Sequence, residues 1–282
     1  MGKVYDALRR AEEQRLELSG EAPAHPAAAT LAHGERRTER RWFWKRWLEL
    51  RRSRRQQVAL EDAGAWNKRR IALLRPDSFA AEQFRTLRAR LDSIAAQHPL
   101  RTIAVASALP GEGKTLAVVN LTVVSAMSVG RRVLLVDCDL RRPRVHTTLG
   151  IAPEAGLAEV LKDRATLSEA VVKLEGLNLE VLGVRLQPPN PSELLASSRM
   201  RSLVEEAARA YDRVIFDVPP TLALPDAKIM CDLSDGVVLV VRAGSTRSED
   251  VTATLDVIDR RRVLGFVLNG LEDSALRYGY PE

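Results

Sequence analysis

Three short stretches of this 282-residue chain combine residue types that handle phosphate, divalent metal and protons. The first is Ala108-Leu-Pro-Gly-Glu-Gly-Lys-Thr115, which follows the apolar run Thr102–Ser107 and opens a stretch of helical period, Leu116–Met127. Backbone N–H groups of such a loop converge on phosphate oxygens, aided by the positive end of the helix that follows. Lys114 is placed to reach the β- and γ-phosphates of a nucleotide, and the Thr115 hydroxyl to ligate Mg²⁺. The expected nucleotide contacts are therefore Pro110, Gly111, Glu112, Gly113, Lys114, Thr115 and Leu116. The general pattern G-x-x-x-x-G-K-[ST] is broken only at its first position, where Ala108 stands in place of Gly.

The second stretch is Val133-Leu-Leu-Val-Asp-Cys-Asp-Leu-Arg-Arg-Pro143, an apolar strand ending in two carboxylates, Asp137 and Asp139. Alternate residues of a strand face the same way, so this spacing is predicted to aim both side chains together. At the carboxyl edge of a parallel sheet such groups hold Mg²⁺ or accept a proton from an incoming hydroxyl. The third, Tyr211-Asp-Arg-Val-Ile-Phe-Asp-Val-Pro-Pro220, ends a buried strand in Asp217, suited to the water shell of a bound metal. The proline pair then holds an extended loop beyond the sheet edge.

Positioning these loops requires a sheet. Apolar runs at Thr102–Ser107, Val133–Asp137, Leu179–Leu182, Val214–Asp217, Val237–Val241 and Leu264–Leu268 read as strands. Stretches of helical period separate them, including Met200–Tyr211. Near-continuous apolar strands alternating with helices predict an α/β fold, a P-loop nucleotide-binding domain with a mostly parallel sheet covered on both faces. The expected boundaries are an extension over 1–67, the α/β domain over 68–274 and a tail over 275–282.

Composition is that of an ordinary globular protein, 45% hydrophobic and 28% charged. No run approaches the about 20 apolar residues of a membrane helix, and the charged start MGKVYDALRRAEEQR lacks the apolar core of a secretory signal. Two cysteines, Cys138 and Cys231, fit a reducing compartment, so a cytoplasmic location is expected. The net charge of +6 is local: residues 35–56 hold ten Lys/Arg and three Glu. Trp42, Trp44 and Trp47 lie in the same segment, and a helix there would gather Phe43, Trp44, Trp47, Leu48 and Leu50 on one side. Residues 36–55 thus read as a basic interfacial helix that touches a membrane surface or a membrane partner; a solvated linker, or a helix packed on another subunit, is the other reading. Specific nucleic-acid binding is not expected, because the positive charge is not spread over the α/β body.

The trio ALPGEGKT, VLLVDCDLRRP and VIFDVPP resembles the Walker A, Walker A′ and Walker B motifs of the bacterial protein-tyrosine kinases, deviant-Walker relatives of MinD and ParA. These are cytoplasmic autokinases that work with membrane chain-length determinants, the polysaccharide co-polymerases of capsule and exopolysaccharide export. Glu82-x-x-Arg85-x-x-Arg88 is similar to that family's subunit-interface motif, although spacing alone also makes it an ordinary Glu–Arg helix face. Pro189-Asn-Pro-Ser-Glu-Leu-Leu195, Asp226 and Val267-Leu-Asn269 fit as well, as does the opening Tyr5-Asp-Ala-Leu-Arg-Arg-Ala11.

The resemblance implies ATP and Mg²⁺ as ligands, and a ring-like homo-oligomer built on Glu82, Arg85 and Arg88. It implies Lys114, Asp137 and Asp139 as catalytic groups, with Asp137 the general base. Thr115, Asp137, Asp139 and Asp217 would form the metal site, and Asn269 would contact adenine. Tyr278 and Tyr280 would be acceptors phosphorylated in trans, in a tail shorter than the family's usual tyrosine cluster. The location implied is peripheral, at the inner face of the cell membrane. Two rivals stand beside this reading. One is a MinD/ParA-like ATPase that positions cargo, against which the loop lacks the extra lysine of that group. The other is a nucleotide-binding adaptor without catalysis.

Overall fold

The structure is a computed structural model that describes residues 57–58 and 76–271. The expected basic helix at 36–55, the opening motif at Tyr5–Ala11 and the acceptors Tyr278 and Tyr280 lie outside the described residues.

The elements run β1 (Gln57–Val58), α1 (Phe79–Ala95), β2 (Thr102–Ser107), α2 (Lys114–Ala126), β3 (Val133–Asp137), α3 (Val145–Leu149), α4 (Leu157–Leu161), α5 (Leu167–Ala170) and β4 (Val172–Leu174). They continue with β5 (Leu179–Leu182), α6 (Pro191–Ala196), α7 (Ser198–Ala210), β6 (Arg213–Asp217), α8 (Pro225–Leu233), β7 (Gly236–Arg242), α9 (Ser248–Val257) and β8 (Val263–Asn269). The strands form one sheet in the order β1-β4-β5-β3-β6-β2-β7-β8. Every pairing is parallel except β4 with β5.

The six strands expected from apolar runs are all present. Two more join them. β4 escapes an apolar-run search because it has three residues and its middle one, Lys173, is exposed. β1 pairs with β4 and lies on the N-terminal side of the expected boundary at residue 68.

Both faces of the central strands are apolar, for the reason parallel sheets demand. Ala104, Ala106, Leu134, Val136, Val214 and Phe216 face a core closed by α4 and α6–α8. Their neighbours Ile103, Val105, Val133, Leu135 and Ile215 face a second core closed by α1 and α2. α2 is apolar almost all round and is buried from Ala117 through Ala126, as such a helix must be. α7 instead buries one stripe, Met200, Leu203, Val204 and Ala207, at helical spacing. No helix among the described residues is long and apolar enough to cross a membrane.

Candidate active site

The carboxyl ends of β2, β3, β6, β7 and β8 open into one cavity of about 650 Å³. This is where ligands of open parallel sheets bind. Pro110, Gly111, Gly113, Lys114, Thr115 and Leu116 line it, so the expected loop residues converge there, with one exception.

The exception is Glu112, which is buried and turned into the protein. Its carboxylate accepts the Leu109 N–H at 2.9 Å and the Thr246 hydroxyl, bracing the loop from behind. Its carbonyl accepts from Asn269 Nδ2, also at 2.9 Å. Asn269 thus ties the end of β8 to the loop while lining the cavity. The chain passes Asn269 at Gly113, whose φ of +94° is left-handed and where a Cβ would sit 1.9 Å from Asn269 Nδ2. Only glycine satisfies both conditions. Gly113 also serves as the N-cap, so helix α2 begins at Lys114, two residues earlier than the apolar period suggested. Lys114 and Thr115 therefore occupy the first turn, where N–H groups lack helical partners and the dipole favours anions.

Beneath the loop, Lys114 Nζ donates to Asp217 Oδ1 in a buried ion pair, and Thr115 Oγ1 donates to Asp217 Oδ2 at 2.6 Å. Parallel pairing of β3 with β6 sets Asp137 directly opposite Asp217. The two expected carboxylates of β3 end in different settings, because the strand stops at Asp137 and its alternation goes no further. Asp137 is fully enclosed and is not part of the cavity wall. Its Oδ1 accepts the Asp139 N–H, and its Oδ2 accepts those of Arg144 and Val145, at 3.0–3.1 Å. Burial, and then the charge of Asp217, push its carboxyl up to about 8, against the opposing pull of the Val145 N–H and Lys114. Asp139 does line the cavity, and its Oδ1 accepts the Arg142 N–H at 2.9 Å.

No cluster of three or more His, Cys, Asp or Glu groups able to hold a metal occurs among the described residues. Thr115 and Asp217 nevertheless offer adjacent hard oxygens at the phosphate loop. That donor set suits Mg²⁺, which keeps several waters and binds through a carboxylate together with substrate phosphates.

Arginines are the residues that motif reading overlooked. Arg141, Arg142, Arg144 and Arg242 all line the cavity. Arg242 Nη1 donates to the Gly111 carbonyl at 3.0 Å. Arg141 Nε donates to buried Asp226 at 3.0 Å and its Nη2 to Ser192 Oγ at 2.9 Å, while the Ser192 hydroxyl donates to Asp226. This triangle joins the Arg-rich loop after Asp139, the Pro189–Leu195 motif and Asp226, three features separated widely in the chain. The run Leu-Arg-Arg-Pro-Arg144 was a visible signal, since arginines directly after a site carboxylate point to anionic ligands.

Glu82 and Arg85 pair with each other on α1, and Arg85 also donates to the Pro76 carbonyl at 2.8 Å. Arg88 donates to the Val124 carbonyl of α2 at 2.8 Å. The three lie on α1, away from the cavity wall.

A family profile described as an AAA domain matches residues 100–262. The tyrosine-protein kinase YwqD of Bacillus subtilis is 39% identical over 213 residues, covering 74% of this chain and 90% of that protein. The chain belongs to the bacterial tyrosine-protein kinase family. The kinase domain of the Escherichia coli tyrosine kinase ETK superposes with a TM-score of 0.67 at 31% identity, covering 84% of this chain and 91% of that one. Another relative, the succinoglycan biosynthesis transport protein ExoP of Rhizobium meliloti, is 36% identical over 205 residues. Those residues make up 71% of this chain but only 26% of ExoP, so the chain spans about a quarter of that relative.

Proposed function

We propose that this chain is an ATP-dependent protein-tyrosine autokinase that phosphorylates Tyr278 and Tyr280 of another copy. The observation that carries this reading is the convergence of Lys114, Thr115 and Asp217 beneath a glycine loop, with Asp139 on the same cavity wall. Phosphoryl transfer asks mainly for positioning and charge neutralisation, which these groups supply.

ATP is the phosphoryl donor, held by the N–H groups of Gly111–Thr115. Lys114 exchanges its carboxylate partner for phosphate oxygens when the loop is filled. Thr115 and Asp217 would hold Mg²⁺, which when bound would supply charge neutralisation for phosphoryl transfer. The acceptor tyrosine oxygen forms the new bond to the γ-phosphorus, the bond from that phosphorus to the β,γ-bridging oxygen breaks, and the tyrosine proton passes to a carboxylate. Asp139 is the carboxylate that accepts it, and Asp137 positions Asp139 rather than taking the proton itself. Asp139 lines the cavity, and Asp137, whose affinity for protons burial raises, lies behind it with the Asp139 N–H on its Oδ1. Asn269 holds the loop and bounds the nucleotide.

The assembly we propose is a ring in which Glu82, Arg85 and Arg88 of α1 contribute to the subunit contact. Its setting is the cytoplasmic face of the membrane, beside a polysaccharide co-polymerase that activates it, with residues 36–55 touching that surface. The name of ExoP supports a role in exopolysaccharide synthesis and export.

The test is phosphotyrosine formation after incubation with Mg·ATP, comparing wild type with Lys114→Met and with Tyr278→Phe/Tyr280→Phe. Signal in wild type lost in both variants supports the proposal. Signal lost only with Lys114→Met moves the acceptor elsewhere. ATP hydrolysis with no phosphotyrosine, including when the cytoplasmic tail of a membrane partner is fused on, replaces the kinase with a MinD/ParA-like positioning ATPase.

A further inference from the structure

Four arginines line the cavity, and two of them are already engaged. Arg141 is neutralised by Asp226, and Arg242 is committed to the Gly111 carbonyl. Arg142 and Arg144 differ. Their main-chain N–H groups are fixed on Asp139 and Asp137, so the positions of both residues are set by the two carboxylates themselves. Both residues are exposed, and neither guanidinium has an ion pair or hydrogen bond among the described residues. Two cations without such a partner among the described residues therefore stand at the rim beside Asp139, the carboxylate a tyrosine hydroxyl must approach.

The tail supplies matching charge. In an extended peptide, residues two apart project from the same side about 7 Å apart. Tyr280 is followed at that spacing by Glu282, whereas Tyr278 is followed by Tyr280 and preceded by Arg277. A peptide lying across the cavity with Tyr280 at Asp139 places Glu282 on the same side, towards the two arginines. Lys114 and the loop N–H groups already serve the phosphates of the donor, which leaves Arg142 and Arg144 for the acceptor.

We propose that Arg142 and Arg144 form the acceptor-peptide site and select a tyrosine with an acidic residue two positions towards the C-terminus. This rests on the kinase reading and gives it an order. Tyr280 is modified first, because Glu282 already satisfies the site. Phosphotyrosine at 280, with about −1.5 to −2 charge, then provides the anion two positions after Tyr278, which is modified second. Arginine suits both ligands, since its planar fork meets carboxylate and phosphate in two hydrogen bonds.

The experiment uses the full chain with Mg·ADP and fluorescent peptides of sequence LRYGYPE, LRYGYPQ, and LRYGYPE phosphorylated on the second tyrosine. Anisotropy should show the Gln peptide binding about two- to fivefold more weakly than the Glu peptide, the scale of a solvent-exposed ion pair. The phosphopeptide should bind more tightly than both. Arg142→Gln/Arg144→Gln should erase these differences without weakening Mg·ADP, and raised salt should shrink them in wild type. Equal affinities in wild type, or discrimination that survives in the double variant, would overturn the proposal. So would loss of Mg·ADP binding in that variant, which would give the arginines to the nucleotide. Incubation with Mg·ATP and mass spectrometry separates this from the kinase reading. Transfer without sequence preference removes the acidic site and keeps the kinase. Preference in binding without transfer removes the kinase and keeps the site.

Discussion

Lys114 and Asp217, 103 residues apart in the chain, neutralise each other in a buried ion pair at the centre of the candidate site. Each is the other's main compensation for burial, so this part of the candidate site is stable because cation and carboxylate are matched within it. Breaking such a pair from one side leaves an uncompensated buried charge, which costs about 3–5 kcal/mol.

Lys114→Met should therefore do two separable things. Phosphoryl transfer should fall by about 10²–10³-fold, the usual loss when one transition-state donor is removed. Thermal stability should drop as well, because Asp217 keeps only Thr115. Adding Asp217→Asn to Lys114→Met should restore much of the melting temperature and none of the transfer. If the double variant melts no higher than the single one, the pair is not what stabilises this pocket.

The two loop glycines should respond unequally to alanine. At Gly111, φ is +86° but no heavy atom lies within 4 Å of an added Cβ, so Gly111→Ala carries only left-handed strain of about 1–2 kcal/mol. Gly113→Ala adds a collision with Asn269 and should lose most nucleotide affinity by calorimetric titration. Asn269→Ala in the same chain should return part of it, since the collision is relieved while the strain stays.

Asp137 should make stability depend on pH with a definite sign. Its carboxyl is raised from 3.8 to about 8, so between those values the folded protein holds a proton that the unfolded chain has released. Stability from this group is complete below about 4 and is lost as pH rises through about 8. Urea midpoints at pH 5.5 and 8.5 should show a smaller alkaline loss in Asp137→Asn than in wild type. Parallel behaviour of the two proteins would place Asp137 among ordinary carboxylates.

The triangle of Arg141, Ser192 and Asp226 should be most sensitive at its buried corner. Asp226→Ala strands both Arg141 and Ser192 and should cost more stability than Ser192→Ala, for which about 1 kcal/mol is expected. Because Arg141 lines the cavity, Asp226→Ala should also raise the KM for an acceptor peptide more than that for ATP. Steady-state kinetics with each substrate varied in turn decides this.

Much of the α/β body was legible because its signals are local. A buried parallel strand must be apolar on both faces, so Thr102–Ser107, Val133–Asp137 and the other long strands declare themselves as unbroken apolar runs. β4 did not, because three residues with an exposed Lys173 look the same as a loop until β5 is placed beside them. The loop Pro110–Leu116 was legible for a related reason: phosphate binding through main-chain N–H groups needs glycines, a lysine and a hydroxyl at fixed spacing on consecutive residues.

By itself, then, the sequence determined the class of fold and which glycine loop and carboxylates gather at the carboxyl edge of the sheet, since each is encoded by spacing along a continuous stretch. Only the tertiary structure decided how those groups are placed relative to one another. Pairing of β3 with β6 set Asp137 against Asp217 and raised its affinity for protons, while the end of β3 released Asp139 to the cavity wall. The inward turn of Glu112, the seat of Asn269 on Gly113 and the joining of Arg141, Ser192 and Asp226 are likewise contacts between distant segments. Such contacts exist only once the sheet order is fixed, and sheet order follows from burying the whole set of apolar faces at once rather than from any one stretch of residues.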